Sequence, residues 1–239
     1  MEPFAGSILR RRWRETRSRK SVAATLREIG SDVWEFLRES TPERKRLRYG
    51  DVEYDWDHHV DTTSATVTIR GRLIAALSGA PYQPTDPAAF RKMLEAMNVD
   101  FREFTFIDLG SGKGRTLLMA SEFPFRRIVG VELLPELHRI AEKNIAAFAR
   151  AEQKCGNVES VCADARDFAF PAEPLLLYLF NPLPAPALET VIDNLRRSLE
   201  QSPRDIRVLY HNPLSEHVLR ESGFLHKTDG TFLYSIYSN

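Results

Sequence analysis

The stretch FTFIDLGSGKGR, from Phe104 to Arg115, decides the fold. Its first half is an apolar run of strand length. Its second half carries glycine at three alternate positions, Gly110, Gly112 and Gly114. Glycine lets the backbone turn sharply and approach a ligand where a Cβ would clash. The stretch therefore predicts a buried strand, a ligand-side turn and a helix from Arg115. Tight packing without a ligand is the alternative explanation for the glycines.

The glycine spacing excludes two common phosphate-binding loops. The spacing GxxxxGK[ST] of the P-loop is absent. A dinucleotide fingerprint GxGxxG that starts at Gly110 would need glycine or alanine at position 115, where the chain has Arg115. The turn therefore predicts another kind of ligand.

From residue 104 to the C-terminus, short apolar runs alternate with helical patterns. The predicted strands are 104–109, 127–133, 158–162, 175–180 and 206–211, and the helices after Arg115 are 135–152, 186–201 and 215–222. Uniformly apolar strands separated by helices are typical of a parallel sheet with helices on both faces. Asp229-Gly230, between two strand-like runs, predicts a two-residue hairpin. The chain is therefore expected to form an α/β sheet that closes with an antiparallel strand.

Carboxylates follow two further strands of this predicted sheet. Glu132 ends the second strand, and Asp164 follows the third between Ala163 and Ala165. Open α/β sheets bind ligands at the carboxyl ends of their strands. A carboxylate can accept two hydroxyls of a ribose or an exocyclic amine of a base. An exposed strand-end carboxylate without a ligand remains the alternative for each.

The fourth and fifth strands both lead into an Asn-Pro pair. Phe180-Asn181-Pro182-Leu183-Pro184 follows the fourth strand, and His211-Asn212-Pro213 ends the fifth. A histidine at a ligand-side strand end can take a proton. His211 is therefore a candidate catalytic residue, with a hydrogen-bonded loop histidine as the alternative.

In this order, D-x-G-x-G-x-G, V-G-V-E, A-D-A, N-P-L-P and a closing hairpin resemble the class I S-adenosylmethionine-dependent methyltransferases over about residues 80–239. The resemblance implies a Rossmann-like doubly wound sheet of seven strands, in the order 3-2-1-4-5-7-6, with strand 7 antiparallel. It implies S-adenosylmethionine as the cofactor and S-adenosylhomocysteine as the product. A dehydrogenase is the alternative within this fold class.

The resemblance also implies roles for residues along the sheet edge. Asp108 and the glycine turn would hold the methionine part, Glu132 the ribose, and Asp164 the adenine amine. Leu133 would pack on the adenine or ribose. The full set of implied cofactor residues is Tyr82, Thr85, Asp108, Gly110, Ser111, Gly112, Gly114, Glu132, Leu133, Asp164, Ala165 and Asn181.

Tyr82 and Thr85 belong to the element YQPT ahead of the first strand. Together with DLGSGKGR and LFNP, this element resembles a poorly characterised bacterial branch of the family, and it is similar to the seven-stranded protein-lysine methyltransferases. Both side chains would then lie over the cofactor as a lid. A plain turn before a helix over 87–97, with Asp86 as its N-cap, is the alternative.

Asn181-Pro182-Leu183-Pro184 is similar to the [DN]-P-P-[YFW] loop of methyltransferases that modify amino groups. The resemblance implies that Asn181 orients the acceptor nitrogen. Leu183 and Pro184 depart from the pattern. This departure argues against stacking on a planar base more than it argues against binding of an amine. A protein amine, with lysine first, is the expected acceptor. A nucleic acid or a small molecule is one alternative, and a non-catalytic Rossmann-like cofactor-binding or interaction module is another.

Charge divides the chain into unequal parts. Lys plus Arg and Asp plus Glu both total 33, yet residues 1–50 hold 13 basic and 7 acidic side chains. We predict a basic helical arm over 1–50, a lead-in loop or lid over 51–86, and the cofactor-binding domain over 87–239. Residues 10–20 of the arm can engage nucleic acid or an acidic partner through phosphate or carboxylate contacts. Packing on the chain's own acidic domain is the alternative.

Other patterns argue against several classes. No run of 18 apolar residues predicts a membrane span, and no apolar segment follows the N-terminal arginines as in a secretory signal. Cys155 and Cys162 are too few for a disulfide framework, so a cytoplasmic location is expected. Cys162 is expected in the core, since its strand is predicted to be buried. The segment 49–64 is expected to be a loop, and its adjacent His58 and His59 do not predict a metal site.

Overall fold

A seven-stranded sheet organises the protein, as shown by a computed structural model that describes residues 52–63, 83–148 and 153–239. The predicted basic arm 1–50 and the predicted lid residue Tyr82 lie outside these ranges, as does the end of the predicted helix 135–152. Those predictions stay predictions.

The strands follow one another in the sheet order β3-β2-β1-β4-β5-β7-β6. Their bounds are β1 Thr105–Leu109, β2 Arg127–Glu132, β3 Val158–Cys162, β4 Leu175–Phe180, β5 Ile206–His211, β6 His226–Gly230 and β7 Tyr234–Ser238. The first five strands are parallel, and β7 runs antiparallel to both β5 and β6. The predicted topology is therefore confirmed.

Helices connect and cover these strands. Their bounds are α1 Val52–His58, α2 Pro87–Ala96, α3 Arg115–Ala120, α4 Pro135–Ala147, α5 Ala185–Gln201 and α6 Glu216–Arg220, with 3-10 turns at Phe101–Glu103 and Ala165–Asp167. Asp86 caps α2 as predicted, because its Oδ1 accepts a hydrogen bond from the Ala89 amide at 2.8 Å. In the described part of the chain, no helix has the length and apolar character needed to cross a membrane.

The expected loop over 49–64 is wrong for Val52–His58, which forms α1. Tyr54 and His58 lie one turn apart, and their rings stack with centroids 3.9 Å apart. Tyr54 is buried in the core, and the His58 ring also stacks on the ring of Phe148, at the end of α4. These tertiary contacts stabilise a helix that lacks an apolar stripe in its sequence.

The central strands place alternate side chains in two cores, one on each face of the sheet. In β4, Leu175, Leu177 and Leu179 pack under α5 and α6, whereas Leu176 and Tyr178 pack under α2 and α3. Successive side chains of a strand point to opposite faces. Burial on both faces explains why these strands are apolar along their whole length.

The expectation that Cys162 lies in the core is wrong. Cys162 is exposed, and Cys155 is buried. Among the described residues, strand β3 pairs with β2 alone and lies at the edge of the sheet, so its side chains are half-buried at best. The loop before β3 packs against α3, where the amide of Cys155 donates to the Ser121 carbonyl at 3.0 Å.

The hairpin exists, but its turn, Phe232-Leu233, is three residues later than predicted. Asp229 and Gly230 belong to β6, and the turn is closed by a hydrogen bond from the Thr231 amide to the Tyr234 carbonyl at 2.8 Å. A register shift between Lys227 and Asp229 displaces the pairing. Such a bulge changes which residues stand opposite one another, so the Asp-Gly pair ends a strand instead of forming the turn.

Gly130 offers a test of the packing between β2 and α3. A Cβ at this position would lie 2.6 Å from both Leu117 Cδ1 and Ser111 Oγ. We expect Gly130→Ala to lower the free energy of unfolding by about 1–3 kcal/mol in urea denaturation, because the packed helix must shift. The control is Gly156→Ala, where nothing lies within 4 Å of the added Cβ. Equal changes for the two variants would contradict this packing.

Candidate functional site

The glycine loop, residues 110–114, crosses the carboxyl end of β1 and is held against the end of β2. The amides of Gly110 and Ser111 both donate to the Val131 carbonyl, at 2.8 and 3.2 Å. The amide of Gly112 donates to Glu132 Oε2 at 2.8 Å. These bonds fix the loop at the sheet edge where open α/β folds bind ligands.

Gly110 brings a second loop against the first. Its φ is +84°, in the left-handed region that favours glycine. A Cβ at this position would lie 2.8 Å from Pro182 Cβ. The Asn181 loop, residues 181–184, therefore contacts the glycine loop directly, and only glycine at position 110 permits that approach.

Asp108 places a buried carboxyl beneath the glycine loop. It is 3% exposed, and its Oδ2 accepts a hydrogen bond from the Thr116 hydroxyl. Burial raises the pKa of this carboxyl to about 7, the Thr116 hydroxyl opposes the rise, and the charge of Glu132 adds to it. Asp108 therefore titrates near neutral pH.

Glu132 is a second buried carboxyl at the same edge. Its Oε2 accepts from Gly112, and its Oε1 accepts from the Leu134 amide at 2.7 Å. Burial raises the pKa of Glu132, and the backbone amides counteract part of that rise. Each oxygen of a carboxylate has two acceptor sites, so these bonds leave capacity for further donors.

Ser111 is buried, and its hydroxyl lies against Gly130 of β2. Among the described residues, this hydroxyl has no hydrogen-bond partner. The structure therefore gives Ser111 a packing position under the loop.

At the third strand end, Asp164 has a strong partner of its own. Its carboxylate accepts from the Arg166 backbone amide and Nε, each at 2.9 Å, and from Arg166 Nη2 at 2.7 Å. Ala165 is buried in the core, and Leu133 is half-buried beside Glu132. The predicted adenine contact of Asp164 stays a prediction, and a ligand there would meet a carboxylate already bound to arginine.

A hydrogen-bonded chain of three side chains crosses the neighbouring strands. Thr85 Oγ1 lies 3.0 Å from the Tyr178 hydroxyl, which lies 2.8 Å from His211 Nδ1. Thr85 is thus buried against β4, and Tyr178 stands beside Asp108 in the strand register. Burial lowers the pKa of His211 to about 4, so its imidazole is neutral at pH 7.

The sequence motifs do not predict a role for Tyr178. It is the one polar side chain in the run LLLYLF, and that contrast is the signal that could have identified it. Burial raises its pKa well above the usual value, so the hydroxyl keeps its proton.

Asn181 connects the two Asn-Pro loops. Its φ of +45° is in the left-handed region, and its Oδ1 accepts from the Leu214 amide at 3.3 Å. Phe180 and His211 are paired in the register of β4 and β5, and their rings stack with centroids 4.1 Å apart. The structure therefore brings Asn181 and His211 to neighbouring strand ends beside the glycine loop.

Residues 106–202, less than half of the chain, match a family model described as a methyltransferase domain. The match runs from β1 into the end of α5, and the strand order is that of the class I enzymes. Residues 106–202 therefore carry a methyltransferase domain. Its methyl donor is therefore S-adenosylmethionine. A search of curated proteins found no match.

Solved structures with a similar fold include methyltransferases with different substrates. A precorrin-6y C5,15-methyltransferase from Geobacter metallireducens is 19% identical with a TM-score of 0.48, covering 65% of this chain and 89% of that one. An RNA methyltransferase from Salinibacter ruber, solved with S-adenosylhomocysteine, is 23% identical with a TM-score of 0.38, covering 65% and 92%. A ribosomal protein L11 methylase from Lactobacillus delbrueckii subsp. bulgaricus is 14% identical with a TM-score of 0.44, covering 63% and 75%. Likenesses this distant carry no argument about the acceptor of this methyltransferase.

The residues at the domain's ligand edge fit this cofactor chemically. S-adenosylmethionine carries two positive charges, on its sulfonium and its ammonium group. Asp108 and Glu132 are buried carboxyls whose pKa values are raised mainly by the loss of water. A cationic ligand beside such carboxyls favours their charged form. The donor set therefore suits a cationic ligand with hydroxyl groups.

Asp108→Asn tests the cost of this buried carboxyl. A carboxyl whose pKa rises from 3.8 unfolded to about 7 folded lowers the folding stability as pH rises between those values. We expect Asp108→Asn to raise the Tm of the cofactor-free protein at pH 8 by several degrees, at about 2–4 °C per kcal/mol, and by less at pH 5.5. Calorimetric scans at both pH values measure this change.

The same variant is expected to bind S-adenosylhomocysteine at least about tenfold more weakly, because the charge-assisted contact is lost. Isothermal titration measures the affinity. A variant that is less stable than the parent protein at pH 8, or that binds as well, would contradict the role given to Asp108.

Proposed function

We propose that this protein transfers a methyl group from S-adenosylmethionine to a protein amine, with lysine as the first candidate. The observation that carries the proposal is the contact between Gly110 and Pro182, with only 2.8 Å available to an added Cβ. This contact places the Asn181 loop directly beside the loop expected to hold the donor. A donor and an acceptor held side by side react at a high effective concentration.

On this proposal, residues along the sheet edge hold successive parts of the cofactor. Asp108 and the glycine loop hold the methionine part, and Glu132 accepts from the ribose hydroxyls. Leu133, Asp164 and Ala165 surround the adenine. When bound, S-adenosylmethionine supplies an already activated methyl group. The protein therefore needs chiefly to bind, orient and exclude water.

Asn181 is proposed to orient the acceptor nitrogen. Its Oδ1 already accepts from the Leu214 amide at 3.3 Å, and an amide oxygen has a second acceptor site. An acceptor without a donor hydrogen gains nothing from this oxygen, whereas an amine does. The asparagine therefore suits an acceptor atom that carries a hydrogen, as the proposed amine nitrogen does.

His211 is proposed to position the acceptor amine instead of accepting a proton from it. Its pKa of about 4 makes it a weak base, and its Nδ1 is already bonded to Tyr178. Only a neutral amine has the lone pair that attacks a methyl group. We therefore expect the rate to rise toward alkaline pH as the acceptor amine loses its proton, without a histidine step near pH 6.5.

The acceptor class is tested by incubating labelled S-adenosylmethionine and the full chain with a lysate that is then resolved into protein, nucleic-acid and small-molecule fractions. Label on protein lysines supports the proposal. Label in nucleic acid or small molecules replaces it with the corresponding alternative. Binding of S-adenosylhomocysteine without label transfer to any fraction would favour a non-catalytic binding module. A cytoplasmic location remains part of the proposal.

Asn181→Gly tests the acceptor role, with Asn212→Gly as a matched control. Both asparagines precede proline, and their φ values are +45° and +48°, which glycine adopts freely. We expect Asn181→Gly to lower kcat by about 10²–10⁴-fold, while the Kd for S-adenosylhomocysteine changes less than threefold. The control should keep both values near those of the parent protein. Equal losses of turnover and cofactor affinity for Asn181→Gly would contradict the role.

The basic arm is proposed to recruit an acidic partner or nucleic acid. Seven of its basic residues lie between positions 10 and 20. We expect deletion of residues 1–20 to weaken use of the acceptor and to flatten the salt dependence of the rate, because exposed charge contacts are screened by salt. Cofactor affinity should not change. Loss of thermal stability with unchanged acceptor use would instead indicate that the arm packs on its own domain.

A further inference from the structure

Residues 52–63, which we call the strap, reach the glycine loop from outside the predicted cofactor-binding domain. Lys113 lies within that loop and is fully buried. Its Nζ donates to Asp61 Oδ1 at 2.7 Å and to the Thr63 carbonyl at 2.9 Å. The ammonium group of a loop residue is thus bound by two residues of the strap.

Arg115 makes a second connection directly after the loop. Its Nε donates to Thr62 Oγ1 at 2.7 Å, and its Nη2 lies 3.4 Å from Asp55 Oδ1. The guanidinium carbon lies 4.7 Å from the centre of the Tyr54 ring. Lys113 and Arg115, two positions apart, therefore both bind the strap through their cationic groups.

The strap is folded to receive these cations. Asp55 Oδ2 accepts from the amides of Thr62 and Thr63 at 2.7 and 2.9 Å. One carboxylate thus closes the turn that follows α1 and also faces Arg115. Such a closed turn presents Asp61, Thr62 and Thr63 together.

Asn144 of α4 joins the backbones of the strap and the loop. Its Oδ1 accepts from the Asp61 amide at 2.9 Å. Its Nδ2 donates to the Asp61 carbonyl at 2.8 Å and to the Lys113 carbonyl at 2.9 Å. Each of these three partners of the buried amide is a main-chain group of the strap or the glycine loop.

The energetics make the two segments depend on each other. A buried ammonium or guanidinium group is costly unless it is paired. Without the strap, Lys113 and Arg115 would lose the contacts described above, which favours movement of their side chains. Lys113 lies between Gly112 and Gly114, so such a movement would displace the loop backbone that contacts Glu132.

We propose that the strap is part of the cofactor site, and that Asp61, acting through Lys113 and Asn144, is a positioning residue for the glycine loop. Docking of the strap and binding of the cofactor then stabilise each other. The inference rests on the proposed function only in taking the glycine loop as the cofactor loop. It extends the cofactor-binding unit, which the sequence predicts to begin at residue 87, back to residue 52.

Asp61→Asn tests the proposal in the full chain. Asparagine keeps the size of the side chain but removes the charge that binds Lys113. We expect the Kd for S-adenosylhomocysteine to rise by about 5- to 100-fold, the usual range of coupling between two sites. The matched control is Asp100→Asn, which removes a carboxylate paired with Arg102 on the surface, at 2.7 Å, and should leave the Kd unchanged. Asp61→Glu should recover part of the affinity.

Hydrogen exchange of the parent protein provides a second measurement that requires no variant. Coupling is reciprocal, so S-adenosylhomocysteine should slow the exchange of backbone amides in residues 54–63 as well as in the glycine loop. Slower exchange in the loop with unchanged exchange in the strap would overturn the proposal. So would a Kd of Asp61→Asn equal to that of the control.

These readouts separate the strap from the acceptor. They use the binding of S-adenosylhomocysteine alone, so a failure to methylate protein amines leaves them intact. A parent protein that binds no S-adenosylhomocysteine would overturn the strap proposal and the proposed function together.

Discussion

The close approach of Gly110 to Pro182 is the constraint on which the rest of the site depends. At a φ of +84°, and with 2.8 Å between an added Cβ and Pro182, position 110 admits no side chain. The contact joins the loop after β1 to the loop after β4. Because β1 and β4 are neighbours in the sheet, the glycine loop and the Asn181 loop meet here without any long connection.

Opposite charges are buried on the two sides of the glycine loop. Asp108 and Glu132 lie toward the sheet, and Lys113 and Arg115 are bound by the strap. The cations have carboxylate partners within the chain. The two anions are held by hydroxyl and amide donors, and burial raises the pKa of both. The carboxylates of Asp108 and Glu132 are therefore unfavourably buried at the edge where ligands bind. A cationic ligand would reduce the cost of that burial.

Sequence patterns predicted the parts of the molecule that depend on local periodicity. The apolar runs and the glycines at alternate positions were sufficient to predict the sheet and the glycine loop. The predicted burial of Cys162 was wrong because burial depends on strand order, which places β3 at an edge. The contacts of Asp61 and Asn144 could not be predicted, since they join residues 83 positions apart through main-chain groups that every residue has.

The position of the hairpin turn decides which side chains stand at the carboxyl edge of the sheet. A turn at Asp229-Gly230 would have ended the sheet with polar residues. The observed turn instead exposes Phe232 at the tip, 90% accessible, and its neighbour Leu233 binds the Asn212 amide at 2.7 Å through its carbonyl. On the proposed function, the donor contacts lie at the ends of β1 to β3 and the acceptor contacts at the ends of β4 and β5. Selection of the acceptor would therefore fall to the part of the edge beside the exposed hairpin tip, whose position the local sequence pattern misplaced.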